Sequence, residues 1–244
     1  MTPQVFATST AKRNVRLFMA FRILFNIRFY YPVFMVMFLR YGITLEQFGL
    51  LNAVWAVVIV LLEVPSGALA DLLGRKALLV AAAIMMTLEM LLLAIVPIGS
   101  SWVFPALLLN RILSGAAEAF ASGADEALAF DSLKAAGKDG DWPRVLERLM
   151  QVGGLATIFA MVTGSLVYSP DLIQVVMNWA GFASQITLDD TFRLPVWLTF
   201  FSGCGAILVT LSMRELPRDH SENNITLLDP FKQTLRTGYW ILTN

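Results

Sequence analysis

Long apolar runs joined by shorter polar connections set the pattern of this chain. A helix that crosses a bilayer needs about 20 mostly apolar residues. Residues 17–39, 48–70, 77–97, 102–130, 149–167 and 194–213 each meet that requirement. The pattern predicts six transmembrane helices within residues 1–213, an all-α membrane fold. The fourth run is the longest and turns polar toward its end, at Asp125 and Glu126. Residues 169–191 read as a longer loop, in which Trp179 and Phe182 suit a membrane interface. Residues 214–244 are polar, contain Pro217 and carry charges of both signs, as a linker would, and a seventh apolar stretch is expected to start near Tyr239.

Composition agrees with a bilayer as the solvent. Hydrophobic residues make up 57% of the 244 and charged ones 15%, against about 25% charged in an ordinary soluble domain. Mean hydropathy is +0.67. A soluble domain of this size cannot hide that much apolar surface from water. The formal net charge is zero, so the chain lacks the basic footprint of a nucleic-acid partner. One cysteine, Cys204, leaves no internal disulfide and no cysteine-based zinc site. One histidine, His220, removes histidine triads, HExxH zinc sites and multi-histidine metal centres. No cofactor or metal is expected. Residues 1–16 are polar and basic and run into a full span without a small-residue cleavage site, so the first span is expected to be retained.

Charge placement predicts an orientation. Lys12, Arg13 and Arg16, Arg75 and Lys76, Lys134, Lys138, Arg144 and Arg148, and Arg214, Arg218, Lys232 and Arg236 fall on one side of the six spans. Arg40 and Arg193 fall on the other, a tally of thirteen against two. The positive-inside rule then puts both ends of the six-helix unit in the cytoplasm.

The turn between the second and third spans reads Gly67-Ala68-Leu69-Ala70-Asp71-Leu72-Leu73-Gly74-Arg75-Lys76. It resembles the loop signature of the major facilitator superfamily, G-x-L-a-D-r-x-G-r-K, at both glycines, Leu69, Asp71, Arg75 and Lys76. Leu72 departs where the family often has a basic residue. The residue types have physical uses. Gly67 would let a neighbouring helix approach closely, Asp71 would cap a helix or pair with a cation, and Gly74 would permit a tight turn. The resemblance implies a latch on the cytoplasmic side that closes when the transporter faces outward. A plain basic turn that only fixes topology is the competing explanation.

A polar stripe runs down the fourth span. Gly115, Glu118, Ser122 and Asp125 follow Arg111 by 4, 7, 11 and 14 residues, which on a continuous helix keeps all of them within about 40° of one line. Such a stripe must face protein or a water-filled cavity, because charge in lipid costs several kcal/mol. Arg111 to Gly115 is similar to a second superfamily pattern, associated with substrate or proton coupling. On the second span Asn52, Glu63 and Ser66 share a face, and on the first Arg22 and Asn26 do, while Arg28 points elsewhere and Glu89 stands alone in the third. Arg22, Asn26, Asn52, Glu63, Arg111, Glu118, Ser122 and Asp125 are therefore the candidate substrate and coupling residues. Glu63, Glu118 and Asp125 either carry protons or form internal ion pairs with Arg22 and Arg111; the sequence leaves both open. Met85, Met86 and Met90 read as core packing.

The resemblance implies one six-helix half of a secondary transporter, proton-coupled, moving a small organic solute by alternating access, with efflux from a bacterial inner membrane as the leading expectation. Its partner would be a missing C-terminal half or a second copy of the chain. Span five has Gly153-Gly154 and Gly164-Ser165 but no glycine–proline run, so the drug/proton antiporter pattern is unmatched. The sequence contains no ATP-binding G-x-x-x-x-G-K-[ST] loop and no G-x-S-x-G elbow, which argues against a primary pump and an enzyme. A membrane module that transports nothing is the alternative.

Overall fold

The computed structural model describes residues 3–182 and 185–215, and these contain helices and turns but no strand. Six stretches are long and apolar enough to cross a membrane: Ser9–Arg40, Leu45–Leu73, Arg75–Ile95, Val103–Ala135, Asp139–Tyr168 and Leu188–Ser212. The chain is an all-α, multi-pass membrane protein. Beyond Arg214 and Glu215, the expected linker and seventh helix, like His220, lie outside the described residues.

Two of the six spans are broken. Span one is α1 (Pro3–Asn26), a 3-10 turn (Tyr31–Val33) and α2 (Phe34–Arg40). Span four is α5 (Val103–Ala121) followed by α6 (Ala124–Ala135). The break in span four falls at Ser122 and Gly123, and Gly123 takes the left-handed φ of +72° that a residue with a side chain resists. Spans two and three are single helices, α3 (Leu45–Leu73) and α4 (Arg75–Ile95). Span five is α7 (Trp142–Tyr168), entered through a 3-10 turn at Asp139–Asp141. The connection expected as a loop is largely helical, with α8 (Pro170–Trp179) and α9 (Leu188–Thr191) ahead of α10 (Leu194–Ser212). Trp179, at the end of α8, is 91% exposed.

Local chemistry sets several ends. Thr44 opens α3 with a capping box: its hydroxyl accepts from the Gln47 N–H, and the Gln47 side chain accepts from the Thr44 N–H at 3.0 Å. Gly74 makes the turn into α4 with φ +98°. The N-terminus of α4 is capped from far away: the Glu215 carboxylate accepts from the Arg75 and Lys76 N–H groups at 3.1 and 2.8 Å. Asp71 does not take that place; it lies in the last turn of α3.

α4 is the central helix, packed against α3, α5, α6 and α10, while α1 lies on α6, α7 and α10. Half of the apolar window of α4 is buried, against 6% for α3 and 11% for span five. Those two spans therefore turn most of their surface outward. Gly67 does not bring helices together: a Cβ there meets nothing within 4 Å. Close approach occurs instead at Gly115, Gly203 and above all Gly164, where a Cβ would lie 1.7 Å from the Phe29 carbonyl oxygen.

The apolar core is divided in two. One cluster holds Phe21, Phe25, Leu79, Ala82, Met86 and Ala117, with Met85 packed against it. The other holds Tyr30, Phe38, Met90, Leu93, Leu107 and Val196. In chain order, a buried polar layer separates them on four spans: Arg28 in the break of span one, Glu89 on α4, Asn110 and Arg111 on α5, and Thr199 and Ser202 on α10.

Candidate functional site

The break in span four builds the site. α5 runs 19 residues, about 28 Å of helix, so α6 begins near the end of the roughly 30 Å of hydrocarbon. Charge costs less there than at the bilayer centre. Asp125 and Glu126 stand in the first turn of α6, where the helix dipole favours carboxylates. Arg22 of α1 meets both. Its Nε lies 3.1 Å from Asp125 Oδ2, and its terminal nitrogen donates to Glu126 Oε1 at 2.8 Å. Asp125 is fully buried on its side chain, and its Oδ1 accepts from the Glu126 N–H at 2.7 Å.

Arg22 also lines two cavities. The first, of about 390 Å³, gathers Glu63 from α3, Glu118 and Ser122 from the end of α5, and Glu126 from α6. The Ser122 hydroxyl lies 3.5 Å from Glu63 Oε1, at the limit of a hydrogen bond. No cation lies within ion-pair distance of Glu63 or Glu118 among the described residues. The second cavity, of about 280 Å³, opens between α1 and α7 beside Asn26, Gly153, Gly154 and Thr157. Asn26 donates to the Arg22 carbonyl at 2.7 Å.

Five of the eight candidate substrate and coupling residues thus meet around one arginine: Arg22, Glu63, Glu118, Ser122 and Asp125. Asn26 joins Arg22 at the second cavity. Asn52 does not take part; it is half-buried on α3 and donates to the Phe48 carbonyl. Arg111 does not either. It lies two turns before Glu118 on α5 and belongs to the polar layer, and the expected single stripe is cut only at Gly123, which resets the helical phase of Asp125. Its guanidinium donates twice to Asn110 Oδ1, faces the Phe34 and Phe38 rings at 5.0 and 5.3 Å, and lies 4.0 Å from Glu89 Oε2. Glu89 is not alone: Arg28 donates to it at 2.5 Å, with both side chains almost wholly buried. Arg111 sits eight residues into α5, about 12 Å deep, where an unpaired charge is most costly.

Gly67 and Asp71 lie on the last two turns of α3, Gly74 makes the turn, and Arg75 and Lys76 open α4, where Arg75 forms an ion pair with Asp131 on α6. That pair ties the turn to the helix carrying Asp125 and Glu126. Sequence reasoning missed Glu126, the Arg28–Glu89 pair and Glu215. The first stands next to Asp125, and the Ser122-Gly123 dipeptide is a turn signal that would have exposed the break. The second was legible as opposite charges inside apolar spans, each of which requires a partner. Glu215 follows Arg75 by 140 residues and carries no local signal.

No protein-family model matches the chain, and no curated protein matches it.

Proposed function

We propose that this chain is one six-helix half of a secondary active transporter of the major facilitator kind, moving a small organic solute by alternating access with a proton as coupling ion. One observation carries the proposal: the breaks in spans one and four flank Arg22, beside a cavity holding two carboxylates, Glu63 and Glu118, that form no ion pair among the described residues. Discontinuous membrane helices are a recurrent way to build substrate and ion sites. Carboxylates with no partner need water, a proton or a cationic ligand.

The coupling follows from charge balance. An ionised Glu118 and Glu63 attract a cationic solute, and a proton on either one removes that attraction. Proton and solute then compete for the cavity, which couples them in opposite directions and fits efflux. Arg22 would hold the breaks in register through Asp125 and Glu126. The Gly67–Lys76 turn, joined to α6 through Arg75 and Asp131, would serve as the cytoplasmic latch. Glu63, Ser122 and Asn26 are exposed on this unit, so the transporting assembly needs a second six-helix unit, a further half or another copy, to cover them.

The test is flux in proteoliposomes under an imposed pH gradient, across a panel of cationic, zwitterionic and anionic organic solutes. The expected result is solute movement that a protonophore abolishes and that Glu118→Gln uncouples while the protein keeps its helical content. Flux that ignores the pH gradient would remove the proton. No flux for any solute, with the fold intact, would favour a module that does not transport.

A further inference from the structure

We infer that the basic cleft between α1, the Asp139–Asp141 turn and α7 binds the phosphate headgroup of an anionic phospholipid. The cleft has a volume of about 430 Å³ and shares no lining residue with the two cavities around Arg22. Lys12 and Arg16 reach it from α1, Arg144 and Arg148 from α7, and Lys138 from the connection between α6 and α7. Each helical pair is spaced by four residues, one turn apart on a single face. Asp141 also lines the cleft and engages Arg144 at 3.4 Å. Lys12, Arg16, Lys138 and Arg148 have no ion pair or hydrogen bond among the described residues.

Topology alone does not explain this convergence. Membrane orientation asks for cations at one end of the bundle and is indifferent to where they point. Other cations at the same end are engaged: Arg13 donates to the Ser212 carbonyl at 2.8 Å, and Arg75 pairs with Asp131. Lys12, Arg16, Lys138 and Arg148 instead gather around one cavity whose one carboxylate, Asp141, engages Arg144, and they repel one another unless a further anion lies between them. Its remaining wall is apolar, formed by Val15, Met19, Leu133 and Val145. A soluble phosphate has no use for that wall, whereas a phospholipid presents a phosphate above a glycerol and acyl chains. Basic pockets between membrane helices suit such headgroups.

The experiment titrates the full chain in mild detergent with phosphatidylglycerol or phosphatidylcholine and counts bound lipid by native mass spectrometry. Phosphatidylglycerol is expected to bind about tenfold or more tightly than phosphatidylcholine. Arg16→Gln with Arg148→Gln should weaken it by about thirtyfold, while Lys134→Gln, on a cation outside the cleft, should change it by less than about twofold. If the arginine pair proves needed for folding, Lys12→Gln with Lys138→Gln gives the same reading. Equal affinity for the two lipids, or a double variant that binds as before, overturns the inference. Displacement of the lipid by millimolar glycerol phosphate or inorganic phosphate also overturns it, because the site would then serve a soluble anion.

Discussion

Arg22 is about one third exposed while its partner Asp125 is fully buried, so the two ends of this pair respond differently to removal. Arg22→Gln leaves a buried carboxylate beside Glu126 with no counter-charge. That should cost about 1–3 kcal/mol, below the full buried-pair penalty because solvent reaches the arginine. Thermal unfolding in detergent should show the loss, and Arg22→Gln combined with Asp125→Asn should recover most of it. A double variant no better than the single one would mean that Arg22 acts through the cavity rather than through Asp125. Glu89→Gln is expected to be harsher, by about 3–5 kcal/mol, because it leaves Arg28 and Arg111 buried with no carboxylate between them. The polar residues of both groups were legible in the sequence as charges inside apolar runs. Pairing of Arg22 with Asp125 was one of the two readings the sequence left open, and the structure shows it; the Arg28–Glu89 pair was signalled only by opposite charges that each needed a partner. A periodicity argument treats span four as one helix, and the left-handed residue at Gly123 gives Asp125 a phase that arithmetic from Arg111 cannot supply.

At the scale of elements, the glycines separate packing from other uses. Gly164→Ala places a methyl group on the Phe29 carbonyl, a backbone atom that no rotamer change can move aside. This variant should lose the contact between α7 and the break in span one, read as a Tm drop or failure to purify folded. Gly67→Ala meets open space inside a helix and should be neutral, or stabilising by up to about 1 kcal/mol. The pair makes a sharp comparison, since membership of a signature pattern would have ranked Gly67 first. If Gly67→Ala folds normally yet abolishes flux, its role belongs to the moving turn and not to static packing. The six spans were readable from hydrophobic length alone. The breaks were not, because an apolar window averages over the residues that interrupt it. The cap on α4 escaped for another reason: the sequence offered Asp71 nearby, while the fold supplies Glu215 from beyond span six.

The whole molecule is ordered along its length by charge. A buried polar layer lies between two apolar clusters, the cavity around Arg22 lies by the second break, and the basic cleft lies between the middle of α1 and the start of α7. This order gives orientation a functional meaning, since the cavity and the cleft sit toward the end that carries ten of the twelve loop cations among the described residues. Cys204 is the single cysteine and is half-buried in α10, so a Cys204→Ser background admits site-specific labelling. In that background Trp179→Cys and Lys134→Cys sit on opposite sides of span five, both at exposed positions. A thiol reagent that cannot cross membranes should label Trp179→Cys on intact cells and Lys134→Cys only after the membrane is opened. The reverse pattern would keep six spans and invert them, and the solute would then enter the Arg22 cavity from outside, which suits uptake rather than efflux. Labelling of both from one side would remove span five as a crossing. The cavity between α1 and α7 would then have no place in a transport path.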